Sequence, residues 1–378
     1  MSLNREHLGF FEKFGEISWG MVALLTLMAG VGVMSLYSAA GGHFEPWADK
    51  HLTRFALGMC GLIVVALIDI RFWLKMSYPI FAAVVLCLVY VDVSGHIGMG
   101  AQRWINLGFM QFQPSEAMKI AAIMALAAFF HGSAPDDLKN PLYLLLPLGL
   151  VALPVFLVVV QPDLGTAIKI ILVSASMFFL AGVSYWWFVA GGVAVLAASP
   201  VIWYLMHDYQ RERVLTFLDP SRDALGSGYH ITQSMIALGS GGIAGKGYLQ
   251  GTQSKLNFLP EKQTDFIFTL FTEEWGFIGA IALYLLFAAI IAWGFTMALR
   301  CQSQYGRLLC AGVIVNFSFY VFINTGMVMG LLPVVGVPLP MISHGGSVMW
   351  SVLFGFGLLM SAYVHRDVKF PRKGLDIL

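Results

Sequence analysis

Charge is what this chain has least of: 22 Lys or Arg and 21 Asp or Glu among 378 residues, 11% charged against 58% hydrophobic. That scarcity excludes a water-soluble globule of this length, which would need far more polar surface, so the bilayer is the solvent. Neither sign dominates, since the formal net charge is +1. No basic run is long enough to suggest nucleic acid. Cysteine is scarce as well. Cys60, Cys87, Cys301 and Cys310 fall in or beside apolar runs without metal spacing and read as small packing residues. Alternation of period two is also missing, which excludes a transmembrane barrel and selects helices.

What is present is a series of long apolar runs, with a mean hydropathy of +0.77. At roughly 20 residues per span they predict an all-α polytopic membrane protein of about ten transmembrane helices. The spans fall near 17–37, 55–70, 74–92, 115–131, 142–160, 166–182, 186–206, 276–299, 308–329 and 347–364. The first carries Gly30 and Gly32 mid-run, lacks an A-x-A site and is long enough to cross, so it is expected to stay as a helix. Residues 1–378 read as one transmembrane domain, with 206–275 as a long extracytoplasmic loop between the seventh and eighth spans.

Orientation follows from Lys and Arg in short connections. Arg5, Lys13, Arg71, Lys75, Lys139, Arg300, Arg307, Arg366, Lys369, Arg372 and Lys373 share one side, against Lys50, Arg54 and Arg103 in short loops opposite. Both termini are therefore expected in the cytoplasm. The tail His365–Lys373 reads as a positive-inside stop and a weak contact for anionic membrane lipids.

The few ionisable residues at span edges are not spread evenly. Glu116, Lys119, Asp163, Lys169 and Asp265 all fall where an outer connection meets a helix end. Glu116 and Lys119 are three apart on one helical face and can pair; a charge costs about 2.5–3.5 kcal/mol at a helix centre, so such a pair is a functional hypothesis by default. Asp163 reads as an N-cap or a site residue, and Lys169 as snorkelling outward or facing the same region. The turn 331–346, with Pro333, Pro338, Pro340 and His344, reads as a rigid re-entrant segment.

Within the long loop, Ile231, Met235 and Leu238 recur at helical spacing and suggest a helix lying on the membrane surface. Gly239-Ser240-Gly241-Gly242-Ile243-Ala244-Gly245-Lys246-Gly247 matches G-x-G-x-x-A, but no strand precedes it. It misses a P-loop at both Ser240 and Gly247. It reads as a flexible turn, or as backbone that approaches an anionic headgroup beside Lys246. Asp265 has two readings: an N-cap carboxylate for the next helix, or a base whose partial burial raises its pKa. Glu273 and Glu274 extend the polar region or face the loop; Arg211 and Arg213 read as solvated or headgroup-facing.

The strings RWINLG, QFQPSEAMKIA, QPDLGTA, GSGGIAGKG, LPEKQTDFIFTLFTEEWG and LPVVGVPLPMISHGGS occur in this order along the chain. Together they closely resemble the SEDS family, from the first span to the last. The resemblance implies a peptidoglycan glycosyltransferase that polymerises lipid II on the outer face of the cytoplasmic membrane during cell elongation. It also implies a class B penicillin-binding transpeptidase as partner within an elongation complex. The family's catalytic aspartate falls on Asp265. Its charged cavity residues fall on Arg103, Glu116, Lys119 and Asp163, and Trp104, Gln113 and Lys169 complete the expected substrate-binding set. His344 stands where Tyr is common in the family.

On that resemblance the 4-hydroxyl of a lipid II sugar attacks the anomeric carbon of a strand linked to undecaprenyl diphosphate. Asp265 takes the proton, and Arg103, Lys119 and Lys169 meet the leaving diphosphate. A divalent cation, magnesium or manganese, between the diphosphate and Asp265 or Asp163 is compatible with hard oxygen ligands, although no ligand set is assigned. The alternatives are a lipid II flippase, whose site would lie near the midplane between repeats, and a scaffold, which would need neither Asp265 nor Lys119.

Overall fold

The computed structural model describes residues 9–98, 101–106, 108, 111–206, 208–223, 226–252 and 261–368. In chain order these form α1 (Phe10–Glu16), α2 (Trp19–Ala39), α3 (Ala48–Leu67), α4 (Ile70–Ser94), β1 (His96–Gly98), β2 (Ala101–Asn106), β3 (Gln111–Phe112), α5 (Pro114–His131) and α6 (Pro141–Val160). There follow α7 (Leu164–Ala181), α8 (Tyr185–Leu205), α9 (Asp208–Leu218), α10 (Ser227–Ser240), α11 (Ile267–Arg300), α12 (Gln304–Val328) and α13 (Gly346–Val364). Among the described residues, nine helices are long and apolar enough to cross a membrane. Helix α5 is less apolar because it carries Glu116, Lys119 and His131, yet 15 of its 18 residues are buried. Its polar groups face protein instead of lipid, which makes it the central crossing and the tenth span.

Local chemistry sets the helix starts. Asn140 accepts from the Leu142 amide at 3.0 Å and Pro141 opens α6. Ser303 accepts from the Gly306 amide at 3.1 Å at the start of α12, and Gly182, with φ 97°, closes α7 in the left-handed conformation. The second span begins at Ala48, earlier than the expected 55. Asp49, Lys50, His51 and Arg54 dilute hydropathy there without breaking the helix.

Helix α5 packs on α4, α7 and α12, and α13 lies along α3. Both described chain ends meet at one end of this bundle: Arg366 pairs with Glu16 at 2.7 Å, and Lys13 donates to the Leu67 carbonyl at 3.4 Å. The opposite end carries the larger connections. There, residues 96–112 make a small antiparallel sheet ordered β1-β2-β3, with Trp104 opposite His96 and Ile105 opposite Phe112. Strands this short carry no readable alternation, and the sequence did not predict them.

Helix α10 forms where the helical spacing of Ile231, Met235 and Leu238 predicts one. It packs against α11 and α12, with Ile231, Ser234 and Ala237 buried and Met235 outward. The Ser234 hydroxyl donates to the Val328 carbonyl at 2.9 Å and meets Thr269 Oγ1 at 2.7 Å. Ile231 and Leu238 face the protein on the same side as Ser234.

Helix α11 is broken at Gly276, whose φ of 64° interrupts it where the sequence places the start of the eighth span. The glycine-rich run docks on that break. The amides of Lys246 and Gly247 donate to the Glu273 and Glu274 carbonyls, each at 3.0 Å. A Cβ at Gly245, which has φ 80°, would stand 2.1 Å from the Glu274 oxygen. Gly245→Ala is therefore expected to cost about 1–3 kcal/mol, read as a lower melting temperature in detergent.

Candidate active site

Four side chains from three helices form a buried charged cluster at the loop-rich end of the bundle. On α5, Lys119 Nζ donates to Glu116 Oε1 at 2.6 Å. On α12, the Tyr320 hydroxyl contacts Lys119 Nζ and donates to Glu116 Oε2. On α7, Lys169 Nζ stands 3.7 Å from the same Glu116 Oε1. Both ammonium groups lie 4.4 Å from the centre of the Tyr320 ring. All four residues are 3% exposed or less. Two lysines against one carboxylate, in a region from which water is largely excluded, are costly to keep charged unless something compensates them, and the ring face of Tyr320 does so in part.

Beside the cluster, Asp163 caps α7: its Oδ1 accepts from the Thr166 amide at 3.2 Å, and Oδ2 accepts from Gln113 at 3.2 Å. Arg103 Nη1 lies 3.9 Å from Asp163, while its other nitrogens donate to the Gln161 carbonyl at 3.1 Å and to the Pro162 carbonyl. Gln113, Asp163 and Arg103 thus lock the β2 strand and the α5 and α7 starts together. Trp104 is set apart, lining a polar recess with Tyr90, Ser94, Gly95, Ile105 and Asn106.

Asp265 sits in the turn before α11, half-buried, and neighbouring segments hold its backbone. Asn324 Nδ2 donates to the Asp265 carbonyl at 2.8 Å and to the Val337 carbonyl at 2.7 Å. The Ser343 hydroxyl donates to the Thr264 carbonyl at 2.6 Å, and the His344 amide to the Gln263 carbonyl at 2.8 Å. The turn 331–345 therefore pins the aspartate. A Cβ on Gly336 would lie only 3.6 Å from Asp265 Oδ2. Burial and the neighbouring Glu261 push the carboxyl up to about 6, against the pull of Lys169 and Arg213. Lys169 thus acts on both Glu116 and Asp265 and joins the cluster to the half-buried acid.

Other polar residues go elsewhere. Lys246 does not reach toward a headgroup: its Nζ pairs with buried Glu273 Oε1 at 2.6 Å, and the Thr252 amide donates to that oxygen at 2.9 Å. Glu274 accepts from Ser38. Both glutamates serve the loop instead of extending the site. Arg211 donates to the Trp203 and Tyr204 carbonyls at 2.9 and 2.6 Å, closing α8, whereas exposed Arg213, expected to be solvated or headgroup-facing, acts on Asp265. His344 meets Arg54 Nη1 at 3.2 Å. Burial and the Arg54 and Lys50 cations hold it down at about 4, so its ring is neutral. Lys255, Phe258, Leu259, Pro260 and the tail from Lys369 lie outside the described residues.

Tyr320, Asn324 and Ser343 were not anticipated. A tyrosine inside an apolar span gives no periodic signal, and a side chain that holds a distant carbonyl leaves no local pattern. Among the described residues no group of three His, Cys, Asp or Glu is placed to hold a metal ion. Asp163 has already spent its oxygens on Thr166, Gln113 and Arg103. Among the described residues, neither Asp163 nor Asp265 belongs to such a group.

The FtsW, RodA and SpoVE family described as "Cell cycle protein" matches residues 16–368. The peptidoglycan glycosyltransferase MrdB of Escherichia coli K12 is 43% identical over 372 residues, 97% of this chain and 99% of that protein. The peptidoglycan glycosyltransferase RodA of Treponema pallidum is 30% identical over 426 residues, 92% of this chain and 98% of that one. A chain of a peptidoglycan synthase complex, solved for its coordination of polymerization and crosslinking, superposes with a TM-score of 0.81 at 31% identity, covering 93% of this chain and 98% of its own. The RodA crystal structure from Thermus thermophilus gives 0.71 at 26% identity, covering 93% and 98%.

Proposed function

This chain belongs to the FtsW, RodA and SpoVE family of cell cycle proteins, and from that membership and its site we infer that it is a peptidoglycan glycosyltransferase. The substrate is lipid II, and the second substrate is a growing strand on undecaprenyl diphosphate. The protein resides in the bacterial inner membrane with both termini in the cytoplasm, so the end bearing Asp265 faces outward. A class B penicillin-binding transpeptidase is its partner in an elongation complex; the likeness to a peptidoglycan synthase complex supports a partner of that kind.

The observation that carries this reading is Lys169, which stands 3.7 Å from buried Glu116 and acts on the half-buried Asp265 carboxyl near 6. Transfer needs one group to accept a proton and another to receive developing negative charge. Asp265 accepts the proton of the attacking 4-hydroxyl as its oxygen bonds to the anomeric carbon. The bond from that carbon to the diphosphate breaks on the opposite side, with inversion and no covalent intermediate. The negative charge gathered on the diphosphate is met by Lys119 and Lys169, fixed beforehand by Glu116 and Tyr320 and so ready without reorganisation. Arg103, Gln113 and Asp163 keep the helix starts in place around them.

A carrier would need a polar route onward through the membrane. Below the cluster, Ile120 to Ala127 on α5 are all apolar and buried. The test is polymerisation of labelled lipid II by the purified protein and its partner in detergent, where there is no second face to flip to. Glycan strands are expected; their absence from correctly folded complex overturns the assignment. The rate should also rise with pH through an apparent pKa near 6, because Asp265 works only when deprotonated. A rate flat between pH 5 and 7 would show that another group takes the proton.

A further inference from the structure

Glu116 offers its two oxygens unequally. Oε1 receives Lys119 at 2.6 Å and has Lys169 at 3.7 Å, beyond hydrogen-bonding distance, while Oε2 is taken by the Tyr320 hydroxyl. All of this is buried. A carboxylate oxygen in such a place seeks a donor, because leaving it without one forfeits its solvation. If the phenol were absent, the donors at hand would be the two lysines beside the carboxylate, Lys119 already on Oε1 and Lys169 not yet bonded to either oxygen. Other polar partners around this lysine are Lys119 and the Tyr320 ring, and it acts across the site on Asp265.

We propose that Tyr320 is a positioning residue that keeps Lys169 from collapsing onto Glu116, so that one ammonium stays uncompensated as the seat of the lipid diphosphate. The hydroxyl occupies Oε2, and the ring face holds both lysines at 4.4 Å. Of the two lysines, the carboxylate hydrogen-bonds Lys119, while Lys169 stays at 3.7 Å. The role rests on the glycosyltransferase reading for the identity of the anion, but it makes a separate claim about where the charge resides.

The measurement is direct binding of farnesyl diphosphate, a soluble probe with the same head chemistry, to the full-length protein with its partner. Tyr320→Phe keeps the ring and removes the hydroxyl. Lys169 then closes on Glu116, and the dissociation constant is expected to rise about tenfold, roughly one charge-assisted hydrogen bond, with the melting temperature little changed. Adding Glu116→Gln should restore the probe's affinity, because an amide has no charge with which to capture Lys169; a merely structural defect would not be repaired that way. Lys169→Met should match Tyr320→Phe in its loss, and the two should not add.

An unchanged constant in folded Tyr320→Phe, or no recovery with Glu116→Gln, overturns the proposal. Should Tyr320→Phe fail to fold, an unchanged constant in Lys169→Met overturns it equally. The enzymatic reading is judged separately. If wild type and Asp265→Asn polymerise alike, that reading of Asp265 fails; if Asp265→Asn is inactive while Tyr320→Phe binds the probe normally, only the role of Tyr320 fails.

Discussion

Asp265→Asn is expected to lower the polymerisation rate by about 10²–10⁴-fold, the range for removing a general base, while the protein melts as wild type. Asparagine fills the same space and keeps the backbone carbonyl that Asn324 grips, so the turn stays in place. It cannot accept a proton. Nor should stability suffer, because the carboxylate is disfavoured where it is: burial and Glu261 raise its pKa. Asp265→Glu provides the geometric control. It restores a carboxylate but displaces the oxygens by about one bond length, and an error of 1 Å can cost ~10²-fold. Rates measured in lipid II polymerisation, beside melting curves, separate chemistry from folding. Wild-type activity in Asp265→Asn would remove the base.

Lys119→Met is expected to lose both activity and stability. Its ammonium is the short partner of a carboxylate that is 3% exposed. Removing one member of a buried pair costs about 3–5 kcal/mol; Lys169, at 3.7 Å from the same oxygen, can move in and hold the loss toward the lower figure. That movement consumes the charge meant for the diphosphate, so turnover should fall at least ~10²-fold even where the variant is fully folded. Lys119→Arg should not rescue it, since a planar guanidinium does not fit a site built for a point charge against a phenol ring. Lys139→Met is the control: its pair with Asp136 spans 2.8 Å but is 77% and 90% exposed, and solvent screening leaves such a pair little effect on stability. Equal effects at the two lysines would contradict the buried cluster.

Much of this architecture was legible because lipid leaves so few alternatives. Long apolar runs have to be helices, and the break at Gly276 falls where the span was placed to begin. Glu116 and Lys119 were legible as a pair because helical spacing is fixed. The second span's start was hidden by Asp49 to Arg54, which are charged yet helical. The two ambiguous readings of Asp163 and Lys169 were resolved only in three dimensions: one caps α7, the other turns inward to Glu116. Lys246 misled because a basic residue among glycines suggests an anion from outside, while its partner is Glu273 from a later helix. Tyr320 was out of reach altogether. Its function depends on the fold returning it to Lys119 from 201 positions away in the chain, and no local pattern carries that.

The sidedness of the reaction tests the account most directly. Protein and partner would be placed in vesicles with known orientation, and labelled lipid II supplied to one face at a time. Strands are expected only from the face that carries the 206–266 segment, where Asp265 and the two lysines converge. Polymerisation from the other face alone, or equally from both, would contradict it.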